Sequence, residues 1–214
     1  MITVWGRKTS SNVQAVMWCI GELGLAYERI DAGFTYGVVD TEHYLAMNPN
    51  GTVPTIQDND QAALFESGAI MRYLAAAYGD NNFWPQAPAN RARTDQWAEW
   101  AKLNIAMQFT TPIFWQVVRL PERQRDPAAI SKAIDQFEKN LRLANSQLET
   151  RPYLAGEHFT LADIQLGHVL FRYFDLPIER INLPALSEYY GRLARRQPFT
   201  EHVIVSYEEL RGSL

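Results

Sequence analysis

Three short runs in this chain carry side chains whose types and spacing could do chemistry. The run Thr9-Ser10-Ser11-Asn12 sets hydroxyl and amide groups between an apolar stretch, Ile2-Thr3-Val4-Trp5, and a helical pattern of Val13, Val16, Met17, Ile20 and Leu23. Such residues cap helices, and a hydroxyl there can equally donate to an anion held at the helix N-terminus. The second run is Asn48-Pro49-Asn50-Gly51-Thr52-Val53-Pro54, a polar turn leading into Val-Pro and then Thr55-Ile56. Proline is confined to a strand's first residue, its edge or a bulge, so the backbone of Val53 is left to pair with an extended peptide. In the third, Glu66-Ser67 precedes Ile70, Tyr73, Leu74 and Ala77 at helical spacing, which puts unpaired N–H groups where a carboxylate can bind. A docking edge beside an anion pocket suits a small acidic peptide.

The ordered pair Val53-Pro54 and Glu66-Ser67 resembles the glutathione-binding half of the cytosolic glutathione S-transferases, and the likeness spans nearly the whole chain. The resemblance implies a cis Val53–Pro54 bond. It implies a Val53 backbone paired with the cysteinyl part of glutathione, and a γ-glutamyl end held by Glu66 and Ser67. Thr52 stands where family members often carry lysine or glutamine. Ser10-Ser11-Asn12-Val13 is similar to the opening motif of the serine-type enzymes, the phi and theta kinds. No tyrosine or cysteine lies in that loop, which disfavours the tyrosine-type and the redox-active members.

A thiol transferase needs thiolate near neutral pH, whereas a free cysteine thiol has a pKa of about 8.5. Lowering it by about two units takes about 2.7 kcal/mol of preference for the anion. A hydroxyl donor together with a helix N-terminus supplies that order of effect. Ser10 is the leading donor, with Ser11 and Asn12 as its nearest competitors. Cys19, inside the helix, reads as a small buried hydrophobe. The glycine carboxylate of glutathione lacks its usual basic partner, because Gly37-Val38-Val39-Asp40 occupies that loop. His43, Arg7 or Lys8 must substitute, or the end is loosely held and affinity is modest. For the electrophilic acceptor, the candidate lining is Trp5, Arg7, and Asn104, Gln108, Thr111 and Trp115 at intervals of three or four on one helix. Arg119 is placed to stabilise developing negative charge.

The elements that must position these groups read as two halves. Residues 1–79 alternate strands and helices (βαβ-α-ββα), with a hairpin of 54–57 and 62–65, and resemble the thioredoxin fold. Residues 80–90 form a Pro- and Asn-rich linker anchored by Phe83 and Trp84. Residues 91–214 carry only helical patterns: a long stretch from Arg91 to Arg119 kinked at Pro112, a helix from Pro127 to Leu148, a capping box at Thr160 and Asp163, and a helix from Leu183 to Arg196. Trp97 and Trp100 are expected inside that helical domain or at a dimer boundary.

Composition excludes several function classes. With 47% hydrophobic and 21% charged residues the chain is an ordinary globular protein, and its net charge of −4 argues against general nucleic-acid or membrane-surface binding. One cysteine excludes an internal disulfide, no apolar run is long enough to span a membrane and no leader pattern opens the chain. The expected location is cytoplasmic. The four histidines form no metal-spaced pair, so no metal is expected.

The resemblance thus implies a glutathione transferase in detoxification, with glutathione as co-substrate, a small hydrophobic electrophile as partner and a homodimer as assembly. Dehalogenation or weak peroxidase activity is an implied side reaction. The alternatives are a glutathione-dependent isomerase of the maleylacetoacetate type and a non-catalytic scaffold of the same fold. Ser10-Ser11 fits the isomerase motif, while Asn12-Val13-Gln14 lacks its cysteine and arginine.

Overall fold

A computed structural model describes all of residues 1–214. Strand β1 (Ile2–Trp5) buries Ile2 and Val4 and leaves Thr3 and Trp5 half-buried. It lies inside a four-stranded sheet of order β2-β1-β3-β4. Its parallel neighbour is the edge strand β2 (Tyr27–Ile30), and its antiparallel neighbour is β3 (Thr55–Asp58). A parallel pair needs a crossover, and helix α1 (Ser11–Glu22) provides it. Helices α2 (Glu42–Met47) and α3 (Ser67–Tyr78) complete the first half.

The hairpin after β3 is shorter than the sequence predicts. Only Leu64–Phe65 forms β4, pairing with Ile56 and Thr55. Asn59 turns left-handed at φ 49°, and the Gln57 side chain donates to the Gln61 carbonyl, so Ala62 and Ala63 belong to the loop. Asp58 ties β3 to α3 by accepting from the Tyr73 hydroxyl at 2.7 Å and the Tyr78 hydroxyl at 2.5 Å.

Between α3 and α4 (Pro88–Ala101), Asp80 accepts from the amides of Asn82 and Phe83, and Phe83 and Trp84 are buried. The helix begins three residues before Arg91 because proline is tolerated in a first turn. From there the chain stays helical to Arg119 through π-helical Lys102–Ala106, the short α5 (Met107–Phe109) and π-helical Thr110–Arg119. Pro112, expected to kink this stretch, lies in the second π segment, whose wider turns accommodate a residue without an N–H.

Helix α6 (Pro127–Leu148) starts where the sequence puts it, with the Asp126 carboxylate accepting from the amides of Ala128 and Ala129. Helix α7 (Leu161–Gly167) is buried at every residue and opens on the expected Thr160–Asp163 capping box. Helix α8 (Leu170–Asp175) follows. The predicted helix 183–196 is α9 (Pro184–Leu193), and an unpredicted helix, α10 (Gln197–His202), follows it, because Pro198 sits in a first turn, where it starts a helix.

The sequence pattern gave α1 one apolar face, yet every residue from Val13 to Ile20 is buried. Helix α3 covers one side, and α7 and α10 of the helical half cover another. Trp18 packs edge-on against Phe199 at 4.7 Å and near Phe159 at 5.6 Å. Glu22 accepts from Trp18 Nε1 and from Arg196 Nε and Nη2. The helical half therefore holds α1 in place.

Asp163, fully buried, accepts from the amides of Leu154 and Thr160 at 2.8 Å each and from the Tyr189 hydroxyl at 2.9 Å. Burial pushes its carboxyl up to about 6 against these donors. Asp163→Ala strands both amides and is expected to lower the unfolding free energy by about 3 kcal/mol in urea titration; a loss below about 0.5 kcal/mol contradicts the assignment.

Candidate functional site

The chain between β1 and α1 turns so that the Ser10 amide donates to the Arg7 carbonyl at 3.2 Å and the Ser10 carbonyl accepts from the Gln14 amide at 2.9 Å. Ser10 is the N-cap residue of α1, but its hydroxyl makes no capping bond. It is half-buried, with its donor uncommitted at the positive end of a helix. Ser11 is the buried first residue of the helix. Asn12 is exposed, and its Oδ1 accepts from the Ser67 hydroxyl at 3.2 Å. Neither serine hydroxyl has a partner within the chain; Ser10 stands just outside the helix at its N-cap and Ser11 inside its first turn.

That Ser67–Asn12 bond ties together the N-termini of α1 and α3. Ser67 is buried, and Glu66 before it is the N-cap of α3 at φ 68°, a left-handed conformation that costs a non-glycine residue about 1–2 kcal/mol. The exposed Glu66 carboxylate lies 3.6 Å from Lys102 Nζ of the helical half. Sequence reasoning missed Lys102, because nothing local links it to Glu66.

Val53 and Pro54 are joined by a cis peptide bond. Neither the N–H nor the C=O of half-buried Val53 has a hydrogen-bond partner within the chain. The preceding carbonyl, that of Thr52, is held twice, by the Tyr44 hydroxyl at 2.6 Å and Asn48 Nδ2 at 2.8 Å. Both side chains also meet Thr55 Oγ1, at 2.8 and 3.1 Å. Gly51 enters the turn at φ +59°, a conformation natural to glycine. Tyr44, Asn48 and Thr55 were not singled out from sequence; the polar turn Asn48-Pro49-Asn50-Gly51 was the available signal. The Thr52 side chain itself is exposed.

The acceptor candidates divide. Arg7, Trp115 and Arg119 come together around Phe34, with the Arg119 guanidinium 4.6 Å from the Trp115 ring centroid. A methyl group at Gly33 would lie 3.3 Å from Arg7 Nη1 and 3.4 Å from Val53 Cγ1, so this cluster adjoins the free edge. Burial pushes the Arg7 guanidinium below its ordinary value and nearby Arg119 adds to this; burial lowers Arg119 as well. Gln108 and Thr111 are exposed on the same helical stretch, and the structure gives neither a contact with the cluster. Asn104 instead donates to the Trp100 carbonyl, which spends it on its own helix. Trp5 sits half-buried on β1 between Ile30 and Thr55. Trp97 and Trp100 pack edge-on at 5.3 Å, half-buried against the core.

Of the candidates for a terminal carboxylate, Lys8 lines a separate groove with Arg29, Glu201 and His202, and His43 is exposed on α2. Cys19 is fully buried, and burial pushes its thiol up, with Glu22 adding to the effect. No group of three or more His, Cys, Asp and Glu side chains assembles to hold a metal ion. An open cleft of about 660 Å³ lies elsewhere, lined by Val117, Ile130, Ile134, Glu138 and Ile178 among others.

Comparison with known proteins gives this geometry a context. The family model described as "Glutathione S-transferase, N-terminal domain" matches residues 1–76, and "Glutathione S-transferase, C-terminal domain" matches residues 127–192. The chain is 34% identical over 206 residues to glutathione S-transferase GstB of Escherichia coli K12, covering 96% of this chain and 99% of that one. It is 33% identical to glutathione S-transferase 3 of Zea mays over 165 residues, 76% of this chain and 73% of that one. Among solved structures it is similar to the theta class glutathione S-transferase of Xanthomonas axonopodis pv. citri with glutathione bound. There the TM-score is 0.90 at 45% identity, covering 96% of this chain and 98% of that one.

Asn48→Ala removes a donor from the Thr52 carbonyl and from Thr55. It is expected to lower the unfolding free energy by about 2 kcal/mol in urea titration; an unchanged midpoint would show that Tyr44 alone fixes the turn.

Proposed function

The chain belongs to the glutathione S-transferase family and is a glutathione transferase, and from that premise we propose that Ser10 donates the hydrogen bond that keeps bound glutathione as a thiolate. The observation that carries the reading is the junction of two helix N-termini, joined by the 3.2 Å Ser67–Asn12 bond, beside a Val53 edge whose N–H and C=O are both free. An extended tripeptide pairing with Val53 has its γ-glutamyl end toward Glu66, Ser67 and the start of α3. Its carboxylate meets the α3 N–H groups and its ammonium meets the Glu66 carboxylate. Its sulfur then lies at the start of α1, where the helix end and the free Ser10 hydroxyl both favour the anion.

Chemistry follows from that charge state. The thiol proton leaves to solvent. The sulfur forms a bond to an electrophilic carbon held beside it, and halide departs with the electron pair or an activated alkene takes up a proton. Proximity and thiolate stabilisation are the catalytic terms. Ser11, buried in the first turn, and Asn12, bonded to Ser67, act here as structure. Thr52 contributes through the carbonyl that Tyr44 and Asn48 hold. Arg7, Trp115 and Arg119 form the centre of the acceptor cleft in this reading, and Trp5, Gln108 and Thr111 lie outside that cluster. The glycine end of glutathione meets exposed side chains, so affinity is modest.

We assign residues 1–79 to the glutathione-binding domain, 80–90 to the linker and 91–214 to the helical domain. No helix is long and apolar enough to cross a membrane, which accords with the cytoplasmic location we propose. A homodimer is the proposed assembly, as is typical of the family, to be read by sedimentation.

Ser10→Ala is expected to raise the pKa of bound glutathione by about one unit or more and to cut turnover about tenfold or more, with glutathione affinity nearly constant. Ultraviolet titration of the thiolate measures the first and steady-state kinetics the second. If Ser11→Ala or Asn12→Ala reproduces this pattern and Ser10→Ala does not, the donor is misassigned. Glu66→Ala should instead weaken glutathione binding about tenfold by calorimetry, leaving the thiolate pKa in place.

A further inference from the structure

Three arginines gather where the two halves meet near Ser10, and none has a carboxylate partner. The arginines of the chain's ion pairs are others: Arg29, Arg72, Arg196 and Arg211. The Arg7 side chain donates no hydrogen bond within the chain, and its Nε is buried without an acceptor. Arg119, 9% exposed, donates only through Nε, to Ser213 Oγ at 3.1 Å. Arg172, 2% exposed, donates Nη2 to the Thr9 carbonyl at 2.7 Å and leaves its own Nε buried and unpartnered.

The geometry gathers their charge. The Arg7 and Arg119 guanidinium carbons lie 5.4 and 5.6 Å from the Phe34 ring centroid. Phe34 adopts a left-handed φ of 58°, which a bulky residue keeps only when its surroundings hold it there. Arg172 lies beneath, over Phe114 at 4.4 Å. The acid nearest this group, Glu209, already accepts from the Thr9 and Tyr36 hydroxyls. Burial lowers the Arg172 guanidinium to about 10, and nearby Arg7 adds a smaller share. In a chain of net charge −4, such a concentration of unpaired cations is conspicuous and attracts an anion.

We infer that Arg7 and Arg119 bind a carboxylate on the electrophile, so that the preferred acceptors are anionic compounds with a flat apolar body lying against Phe34 and Trp115. The inference rests on the transferase reading and adds to it the charge class of the acceptor. Arg172 is too buried to touch a ligand. It is a positioning residue, fixing Thr9 next to Ser10 and adding positive potential from below. The arginines offset the repulsion between a thiolate and an anionic acceptor. With 4-(chloromethyl)benzoate, the glutathione sulfur bonds to the benzylic carbon and the C–Cl electron pair leaves as chloride.

The test compares kcat/KM for 4-(chloromethyl)benzoate and the uncharged 4-(chloromethyl)benzamide at saturating glutathione. Each value is divided by the rate constant of the same compound with glutathione alone. The wild-type protein is expected to favour the benzoate by about tenfold or more on that scale. Arg119→Gln and Arg7→Gln each bring the ratio toward one, and Arg119→Lys restores part of it. Circular dichroism identifies any variant that fails to fold, and the other arginine's variant then decides. A wild-type ratio near one overturns the inference, as does equal loss for both compounds. So does a higher KM for glutathione at an unchanged ratio, which assigns the arginines to the tripeptide's own glycine carboxylate. The Ser10→Ala titration reads separately: a failed donor assignment with the ratio intact leaves the anion site standing, and a collapsed ratio with the titration intact leaves the donor standing.

Discussion

Helix α1 has to satisfy two opposed demands, and much of the structure follows from that constraint. Its body from Val13 to Ile20 is buried on all sides, while its N-cap Ser10 keeps a hydroxyl without a capping bond. Burial needs cover from both halves of the chain, which α3 supplies on one side and α7 and α10 on the other. Anchors at each end fix the helix. Glu22 is clasped by Arg196 and Trp18 at the C-terminal end, and Arg172 holds the Thr9 carbonyl at the N-terminal end. Arg172 and Arg196 belong to the helical half, so the position of the Ser10 turn is set partly by residues of the other domain.

A second constraint concerns backbone left unpaired on purpose. Buried or half-buried peptide groups are costly when unsatisfied, yet Val53 offers both of its own to no partner in the chain. The surrounding bonds make that possible. Tyr44, Asn48 and Thr55 saturate the carbonyl just before it, and β3 begins its ladder two residues later at Thr55. Glu66 shows the same economy, held in a left-handed conformation next to the buried Ser67. The left-handed Glu66 and the open backbone groups of Val53 thus flank the junction where α1 and α3 meet.

Charge is distributed in the same spirit. The chain is acidic overall, but three guanidinium groups without a carboxylate partner, those of Arg7, Arg119 and Arg172, lie together near the start of α1. Helix N-termini and guanidinium groups thus create a locally positive region in a protein of the opposite sign, which is the arrangement that draws anions without making the whole surface adhesive.

Much of this was legible along the chain because the physics is local. Proline's missing N–H marked the start of β3. Pro127 and the Thr160–Asp163 box marked the starts of α6 and α7, since helix starts are settled within one turn. The motifs Ser10-Ser11-Asn12 and Glu66-Ser67, far apart in sequence, meet in the fold through the Ser67–Asn12 bond. What failed was whatever depended on distant partners. Nothing near Ala62 or Pro198 announced how the hairpin and the last helices would close, and helical spacing alone could not show that Asn104 bonds back to its own helix. The sequence by itself determined the types of element and the identity of the polar groups at their ends. Only the tertiary structure decided that Ser10's hydroxyl stays free while Asn12 bonds Ser67, and that Arg7, Arg119 and Arg172 converge, because those outcomes are set by through-space neighbours drawn from both halves of the fold.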